Sequence, residues 1–276
     1  MCSTGGLFYL FDADTGVVDT LPRHDHIDGL SHCVGIPSTK AHGPRVFVLP
    51  IVCVGDGEAK RTVRYLDVNR REWKDTTFVL SSGSIAVTRL TDTKLVVCGC
   101  LGTQYPTGKE CFLFDVDTYE LTELPDRRVQ RFEAVAVHYR GMAVLIGGYD
   151  GTESRVSSCE QYNPGAVAWE PMGDMPIDVL GGTRAAVVDD KIYVTGAFFR
   201  MGTYMYDGTT WHSIDVMWDS WDRMHCVPFD YKGTLAILCD EGRIKTMDTE
   251  TNTWIPLDGV TGPSDWAVVA SRVVTF

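Results

Sequence analysis

The 276-residue sequence has no hydrophobic run long enough to cross a membrane and no excess of positive charge. Its longest apolar stretches, such as Val46–Val54, fall well short of the roughly 20 residues that a membrane-spanning helix requires. The formal net charge of −12 disfavours binding to nucleic acid or to an anionic membrane, because both are themselves negatively charged. The N-terminus lacks a basic segment followed by an apolar stretch, so we expect no secretory signal and a cytoplasmic protein.

The common catalytic and metal-binding motifs are also missing. There is no GxSxG nucleophile elbow, no P-loop, and no GxGxxG after a strand. The nine cysteines form no CxxC pair, and we expect them to be reduced thiols packed as small hydrophobic residues. His24 and His26 lie close to Asp25 and Asp28, and we interpret this segment as a solvated loop. The sequence therefore predicts no metal and no cofactor.

Short β-rich runs fill the chain, and helical periodicity is nearly absent. The runs recur every eight to twelve residues and are separated by Gly, Asp, Asn and Pro; they include Lys94–Cys98, Met142–Ile146, Lys191–Thr195 and Thr234–Leu238. This pattern is typical of all-β sandwiches, barrels and propellers. Internal repetition distinguishes between them.

One signal occurs six times: an apolar strand ending in Asp or Asn, a polar turn, and then a bulky residue. The copies are Phe11-Asp12 to Val18, Leu66-Asp67 to Trp73, Phe114-Asp115 to Leu121, Tyr162-Asn163 to Trp169, Tyr206-Asp207 to Trp211 and Met247-Asp248 to Trp254. Asp and Asn suit this position because their side chains bond backbone groups just ahead and start turns. The anchors are 55, 48, 48, 44 and 41 residues apart, so six units of similar length fill the chain.

The copy that begins at Met142 resembles a Kelch repeat. It carries Gly147-Gly148 after a strand, Tyr162-Asn163-Pro164 after the next, and then Trp169. The resemblance implies a blade whose second strand ends at the double glycine. The other copies keep the tyrosine or tryptophan spacing but have a degenerate double glycine.

The sequence thus predicts a single Kelch-type domain over residues 1–276, an all-β, six-bladed β-propeller of four-stranded antiparallel blades. The predicted blades cover residues 264–276 with 1–22, then 30–80, 83–125, 132–174, 183–216 and 224–258. A closing blade shared by N- and C-terminal strands would hide the edges that an open sheet exposes. Trp73, Trp169, Trp211 and Trp254 fall at the start of fourth strands, where we expect them to pack between blades.

Loops on one face of such a propeller are the first place to look for a binding site, since loops carry function on a rigid scaffold. In an antiparallel blade, the loop between strands two and three emerges on the same face as the loop that leads into the next blade. This face includes Cys100–Lys109, Pro125–Phe132 and Tyr149–Val156. The alternative is that its large side chains only cap the core.

Two groups of residues on this face are candidate partner-binding residues. The first is aromatic, the residue mix of interface hot spots, and comprises Phe198, Phe199, Arg200, Met201, Trp218, Trp221 and Arg223. The second is basic and comprises Arg61, Arg127, Arg128, Arg131 and Arg155. The planar guanidinium group of arginine suits carboxylate recognition. The resemblance to Kelch adaptors implies that such arginines bind acidic peptide segments. The alternative is that nearby acidic residues neutralise these arginines, which would then form only a solvated rim of the propeller.

We therefore predict a protein-interaction module, a scaffold or substrate-recognition propeller that binds a protein or peptide, and no catalytic residues. The resemblance also implies a ubiquitin-ligase or cytoskeletal context, with the chain a lone propeller or an excised domain. The alternative is an enzyme that acts on a small molecule or glycan at the channel mouth, where His32, Cys33, His225 and Cys226 are the candidates. A third reading is an architectural propeller that binds through its side.

Overall fold

A computed structural model describes residues 8–11, 18–22, 31–39, 41–50, 61–80, 85–99, 109–150, 152, 154–176, 183–195, 202–214, 227–238 and 243–261. The regular elements within these ranges are β-strands, which form five four-stranded antiparallel sheets and one two-stranded sheet. This part of the chain holds no helix with the length and hydropathy of a membrane span. The chain divides into two compact units, one centred on Ser31–Gly181 and one that combines Met1–Leu30 with Gly182–Val273.

The Ser31–Gly181 unit contains three of the four-stranded sheets, and each is named here by its first and last residue. The 31–80 sheet consists of β3 (Ser31–Ile36), β4 (Arg45–Pro50), β5 (Arg61–Asp67) and β6 (Glu72–Leu80). The 85–124 sheet consists of β7 (Ile85–Arg89), β8 (Lys94–Gly99), β9 (Cys111–Asp115) and β10 (Leu121–Leu124). The 135–172 sheet consists of β11 (Val135–Tyr139), β12 (Met142–Ile146), β13 (Cys159–Tyr162) and β14 (Glu170–Met172).

The other unit contains the remaining sheets. The two-stranded sheet pairs β1 (Phe8–Phe11) with β2 (Val18–Leu21). The 184–214 sheet consists of β15 (Arg184–Val188), β16 (Lys191–Thr195), β17 (Thr203–Tyr206) and β18 (Trp211–Ile214). The 227–261 sheet consists of β19 (Val227–Tyr231), β20 (Thr234–Leu238), β21 (Arg243–Asp248) and β22 (Thr253–Thr261).

Strand order within each four-stranded sheet follows the chain, and burial falls towards the fourth strand. The second strands β8, β12 and β16 are buried along almost their whole length. The fourth strands β10 and β18 are mostly exposed or half-buried. The second strands are therefore continuous apolar runs because both of their faces are covered, whereas the outermost strands mix polar and apolar residues.

The predicted Asp turns are present at the end of the third strands. Asp115 Oδ1 accepts hydrogen bonds from the backbone N–H groups of Asp117 (2.8 Å) and Thr118 (3.0 Å). The carboxylates of Asp67, Asp207 and Asp248 accept equivalent backbone bonds from residues two or three ahead. The prediction that these acids start the turn into the fourth strand is confirmed.

Tight turns of two residues join the first and second strands of three sheets. Both residues of each turn have positive φ: Arg140 and Gly141, Asp189 and Asp190, Lys232 and Gly233. This pattern is typical of type I′ hairpins, whose twist matches that of the strands. The side chains of Asp189 and Asp190 are exposed.

Neighbouring sheets of the Ser31–Gly181 unit pack through apolar faces and through polar links. Trp169 is buried at the start of β14, and its indole N–H donates to the Pro125 carbonyl at 2.9 Å. Arg45 is also buried, and it donates to the Val116 carbonyl (2.8 Å) and to Asp117 (2.5 Å) in the 85–124 sheet. The expectation that Trp169 packs between blades is confirmed. Trp73, Trp211 and Trp254 also lie at the starts of the fourth strands β6, β18 and β22.

The structure differs from the sequence prediction in two respects. The described residues form five four-stranded blades, not six, and the strands expected to complete the β1–β2 sheet lie in 264–276, outside the described residues. Cys98 and Cys111 form a disulfide, so the expectation of reduced thiols throughout is wrong. The two cysteines face each other across β8 and β9, a pairing that depends on strand register and is invisible in their spacing alone.

Candidate functional site

The loop face is defined by the direction of the strands. In each four-stranded sheet the second and third strands are joined at the end where the first strand begins, because neighbouring strands run antiparallel. In the 135–172 sheet, this end carries Val135, Ile146 and Cys159. The loops that precede β11 and that join β12 to β13 therefore lie at one end of this sheet, as predicted.

Most of the predicted partner-binding residues lie outside the described residues. These are the whole aromatic group, Phe198, Phe199, Arg200, Met201, Trp218, Trp221 and Arg223. Arg61 is the first residue of β5 and thus stands at the loop-face end of the 31–80 sheet. The structure describes the side-chain surroundings of the remaining four, all of which belong to the loops at the end of the 135–172 sheet.

Arg131 is buried inside this end of the sheet, with 1% of its surface exposed. Its Nη1 donates to the carbonyl groups of Gly147 (3.0 Å) and Ser158 (2.7 Å). Its Nη2 donates to the Ser158 hydroxyl (3.0 Å) and to Glu160 Oε1 (2.6 Å). The planar guanidinium group thus joins the ends of β12 and β13.

Glu160 is the buried counter-charge, with 2% of its surface exposed. Besides the ion pair with Arg131, its carboxylate accepts hydrogen bonds from the backbone N–H groups of Arg128 (2.8 Å) and Val129 (3.2 Å). One carboxylate therefore holds both a buried cation and the backbone of the loop that precedes β11. Charge-assisted bonds of this kind are about twice as strong as neutral ones.

Arg127 is buried beside this pair, at 2% exposure. Its Nε donates to the Lys109 carbonyl (3.3 Å), and its Nη2 donates to the Arg131 carbonyl (3.4 Å). Burial, together with the positive charge of Arg131, lowers the pKa of Arg127 to about 10. The guanidinium group still carries its charge at neutral pH, and it ties the 85–124 sheet to the loop before β11.

Two of the four described arginines therefore have an internal role that the sequence did not reveal. The guanidinium groups of Arg127 and Arg131 donate hydrogen bonds to acceptors within the protein, so in this conformation their side chains do not present charge to a partner. Arg128 and Arg155 are exposed. Arg128 is held through its backbone N–H on Glu160, which leaves its side chain on the surface.

Hydrogen bonds hold the described residues of the loop between β12 and β13. Phe132 and Tyr149 exchange two backbone bonds of 2.7 and 2.8 Å, and Val156 N–H donates to the Gly148 carbonyl at 2.9 Å. Asp150 Oδ1 accepts bonds from the Thr152 hydroxyl (2.7 Å) and backbone (2.8 Å). The Thr152 hydroxyl also holds the pKa of the Asp150 carboxyl below its usual value.

The double glycine allows this loop to approach the segment before β11. Gly148 has φ of +97°, and a Cβ atom there would lie 2.4 Å from the Phe132 carbonyl oxygen. A side chain at this position would separate the two loop segments. Gly148 is therefore required both by its backbone conformation and by the close contact.

Glu160 is the functional residue that sequence reasoning missed. It lies in β13, which mixes polar and apolar residues, so the sequence of this strand does not indicate that Glu160 is buried. Among the alternative channel-mouth residues, His32 and Cys33 lie in β3, and His225 and Cys226 lie outside the described residues. His24, Asp25, His26 and Asp28 also lie outside them. The described ranges contain no cluster of three or more His, Cys, Asp or Glu side chains that could hold a metal.

Comparison with known proteins agrees with this architecture. The Kelch motif family matches residues 130–176, the segment that contains the whole 135–172 sheet, Arg131, Glu160 and the double glycine. Together with the four-stranded antiparallel blades, this match supports a Kelch-repeat β-propeller as the class of the protein. The human Kelch repeat and BTB domain-containing protein 13 is 26% identical over 127 residues, which is 45% of this chain and 28% of that protein. The matched segment is thus under a third of that relative's length.

Proposed function

We propose that the protein is a protein-interaction module that binds a partner protein or peptide through its loop face. The observation that supports this proposal is that the loops at the end of the 135–172 sheet are held by hydrogen bonds in the absence of a partner. Two backbone N–H groups of the segment before β11 bond to Glu160, and the described residues of the loop after β12 bond to Phe132 and to one another. A surface that is ordered before binding loses little conformational entropy when a partner docks.

The side chains that these loops expose indicate the chemical character of the partner. Arg128 and Arg155 are exposed, and arginine side chains recognise carboxylate groups with two parallel hydrogen bonds. We therefore infer an acidic segment as the partner, and we assign the orienting role to Arg128 and Arg155. Arg127 and Arg131 support this surface from inside.

Charge reversal tests the basic half of the proposal. The variant Arg128→Glu/Arg155→Glu is compared with wild type by affinity capture from lysate and quantitative mass spectrometry. The matched control is Arg70→Glu/Arg140→Glu, which makes the same charge change on exposed residues in turns at the opposite ends of their sheets. We expect partners to be lost with the loop-face variant and kept with the control. Equal retention by both variants would refute a role for this surface.

The aromatic half is tested separately with Trp218→Ala/Trp221→Ala, after circular dichroism shows that the variant is folded. Loss of the partner would support the proposal that the aromatic residues are buried anchors. Retention would indicate that they cap the propeller, and binding would then depend on the arginine loops or the side of the blades.

We also propose a sixth blade, in which β1 and β2 are the last two strands and residues 264–276 supply the first two. The six-fold recurrence of the Asp or Asn turn supports this count, because Asp12 follows β1 as Asp67 follows the apolar part of β5. Deleting residues 264–276 should then lower the thermal midpoint sharply. We retain a cytoplasmic location as a proposal, to be tested by cell fractionation.

The enzyme alternative would place a site at the channel mouth around His32, Cys33, His225 and Cys226, and no contact among the described residues favours it. Metal analysis of the purified protein tests it directly. A stoichiometric transition metal would favour that alternative over the binding module.

A further inference from the structure

The Cys98–Cys111 disulfide lies where the predicted Cys100–Lys109 loop leaves the 85–124 sheet. Cys98 is the penultimate residue of β8, and Cys111 is the first residue of β9. The Gly99 N–H donates to the Glu110 carbonyl at 3.1 Å, so the cysteine pair beside it occupies a non-hydrogen-bonded position of the ladder. Side chains approach most closely at such positions, and the two Cα atoms are 4.1 Å apart.

The disulfide is sealed from solvent by the neighbouring sheet. Cys98 is 0% exposed and Cys111 is 1% exposed. Both belong to an apolar cluster with Leu145, Tyr162 and Trp169 of the 135–172 sheet. A thiol reagent can reach the sulfur atoms only if these two sheets separate locally.

We propose that Cys98–Cys111 is a shielded redox latch of the Ser31–Gly181 unit. It resists thiol reductants while the 85–124 and 135–172 sheets are packed, and it becomes reducible only when they open. A thiolate of a dithiol reductant attacks one sulfur, the S–S bond breaks, and a mixed disulfide forms. The other cysteine leaves as a thiolate in this step. The second thiol of the reductant then attacks the mixed disulfide and releases the cysteine that was attacked first, so two protein thiols and one oxidised reductant result.

The latch has a defined mechanical consequence. The bond closes a loop with a sequence separation of 13 residues, which removes conformations from the unfolded chain. Its reduction frees the loop-face ends of β8 and β9 to fray. Oxidation state therefore sets the stability of the unit, independently of whether the proposed partner-binding function is correct.

Differential alkylation tests both the bond and its shielding. Wild-type protein is treated with iodoacetamide in four conditions, folded or in urea and with or without dithiothreitol, and the Cys98 and Cys111 peptides are quantified by mass spectrometry. We expect labelling only in urea with dithiothreitol. Labelling in urea without dithiothreitol would show that no disulfide forms. Equally fast reduction in the folded protein would refute the shielding.

Thermal unfolding tests the stability effect. Protein refolded with dithiothreitol should unfold at a temperature roughly 6–12 °C below that of the oxidised protein, for a unit of this size. The variant Cys98→Ala/Cys111→Ala should lose this dependence on reductant. The control Cys159→Ala removes a buried free thiol from the neighbouring sheet and should keep it. The proposal would be overturned if the unfolding temperature of the wild type did not depend on reductant, or if that of the double variant still did. If the double variant does not fold, the wild-type result alone decides.

Discussion

The substitution Glu160→Gln tests whether the buried ion pair organises the loop face. The change keeps the shape of the side chain but removes its charge. Arg131 Nη2, which lies 2.6 Å from Glu160 Oε1, would lose its anionic partner. The N–H groups of Arg128 and Val129 would compete for a single amide oxygen instead of a carboxylate.

The expected loss in the free energy of unfolding is large because water cannot reach the charge that is left without its partner. The side chains of Arg131 and Glu160 are 0% and 3% exposed. Removing one partner of a buried pair costs about 3–5 kcal/mol, since the remaining charge stays buried. The amide recovers part of the hydrogen bonding, so we expect about 3 kcal/mol in the free energy of unfolding. For a unit of this size, this loss lowers the thermal midpoint by roughly 6–12 °C.

The assay is calorimetry together with urea unfolding, in which the midpoint should fall and the slope with denaturant should stay unchanged. The matched control is Glu170→Gln, which makes the same change at an exposed position of β14. We expect the control to stay within about 0.5 kcal/mol of wild type. A Glu160→Gln variant as stable as Glu170→Gln would refute the reasoning.

Three other results are expected. Gly148→Ala should destabilise the protein by about 1–3 kcal/mol more than Gly141→Ala in urea unfolding. Both positions have positive φ, but only at Gly148 would the new Cβ lie 2.4 Å from a backbone oxygen. Equal losses of stability would contradict a role for this close contact. Backbone bonding from Thr210, with help from Thr209, lowers the pKa of Asp207 below its usual 3.8, so its contribution is present above about pH 4 and is lost as the pH falls through the lowered value. Asp207→Asn should therefore flatten the acid side of the stability profile, and an unchanged profile would oppose this assignment. Burial raises the pKa of the Cys159 thiol to about 12, so folded protein at pH 8 should react with iodoacetamide at Cys159 far more slowly than unfolded protein does, as peptide mass spectrometry would show.

The strands and turns could be predicted because they follow from local chemistry. An Asp at the end of a third strand bonds backbone groups two or three residues ahead, and Asp115 does so with Asp117 and Thr118. The distance from there to the fourth strand places Trp169 beside the neighbouring sheet. The Kelch resemblance at residues 142–172 depended on the same short spacings, and the family match covers this segment.

The candidate site was harder to predict, because composition does not tell which arginine faces inwards. Arg127, Arg128 and Arg131 lie within five residues, yet only Arg128 is exposed. The direction of each side chain depends on the hydrogen-bond acceptors that the fold brings nearby. For Arg131, these acceptors come from Gly147, Ser158 and Glu160, which lie 16 to 29 residues away.

The sequence alone thus determined the class of the fold, since alternating strands, turn acids and a recurring period are properties of short segments. The tertiary structure decided the features that depend on long-range packing, namely which cysteines pair and which arginine is buried. The register of β8 and β9 made Cys98 and Cys111 a disulfide, and the adjacent ends of β12 and β13 made Arg131 an internal support. Both outcomes depend on residues that are distant in the chain, because strand register and burial are set by the packed sheets and not by neighbouring residues.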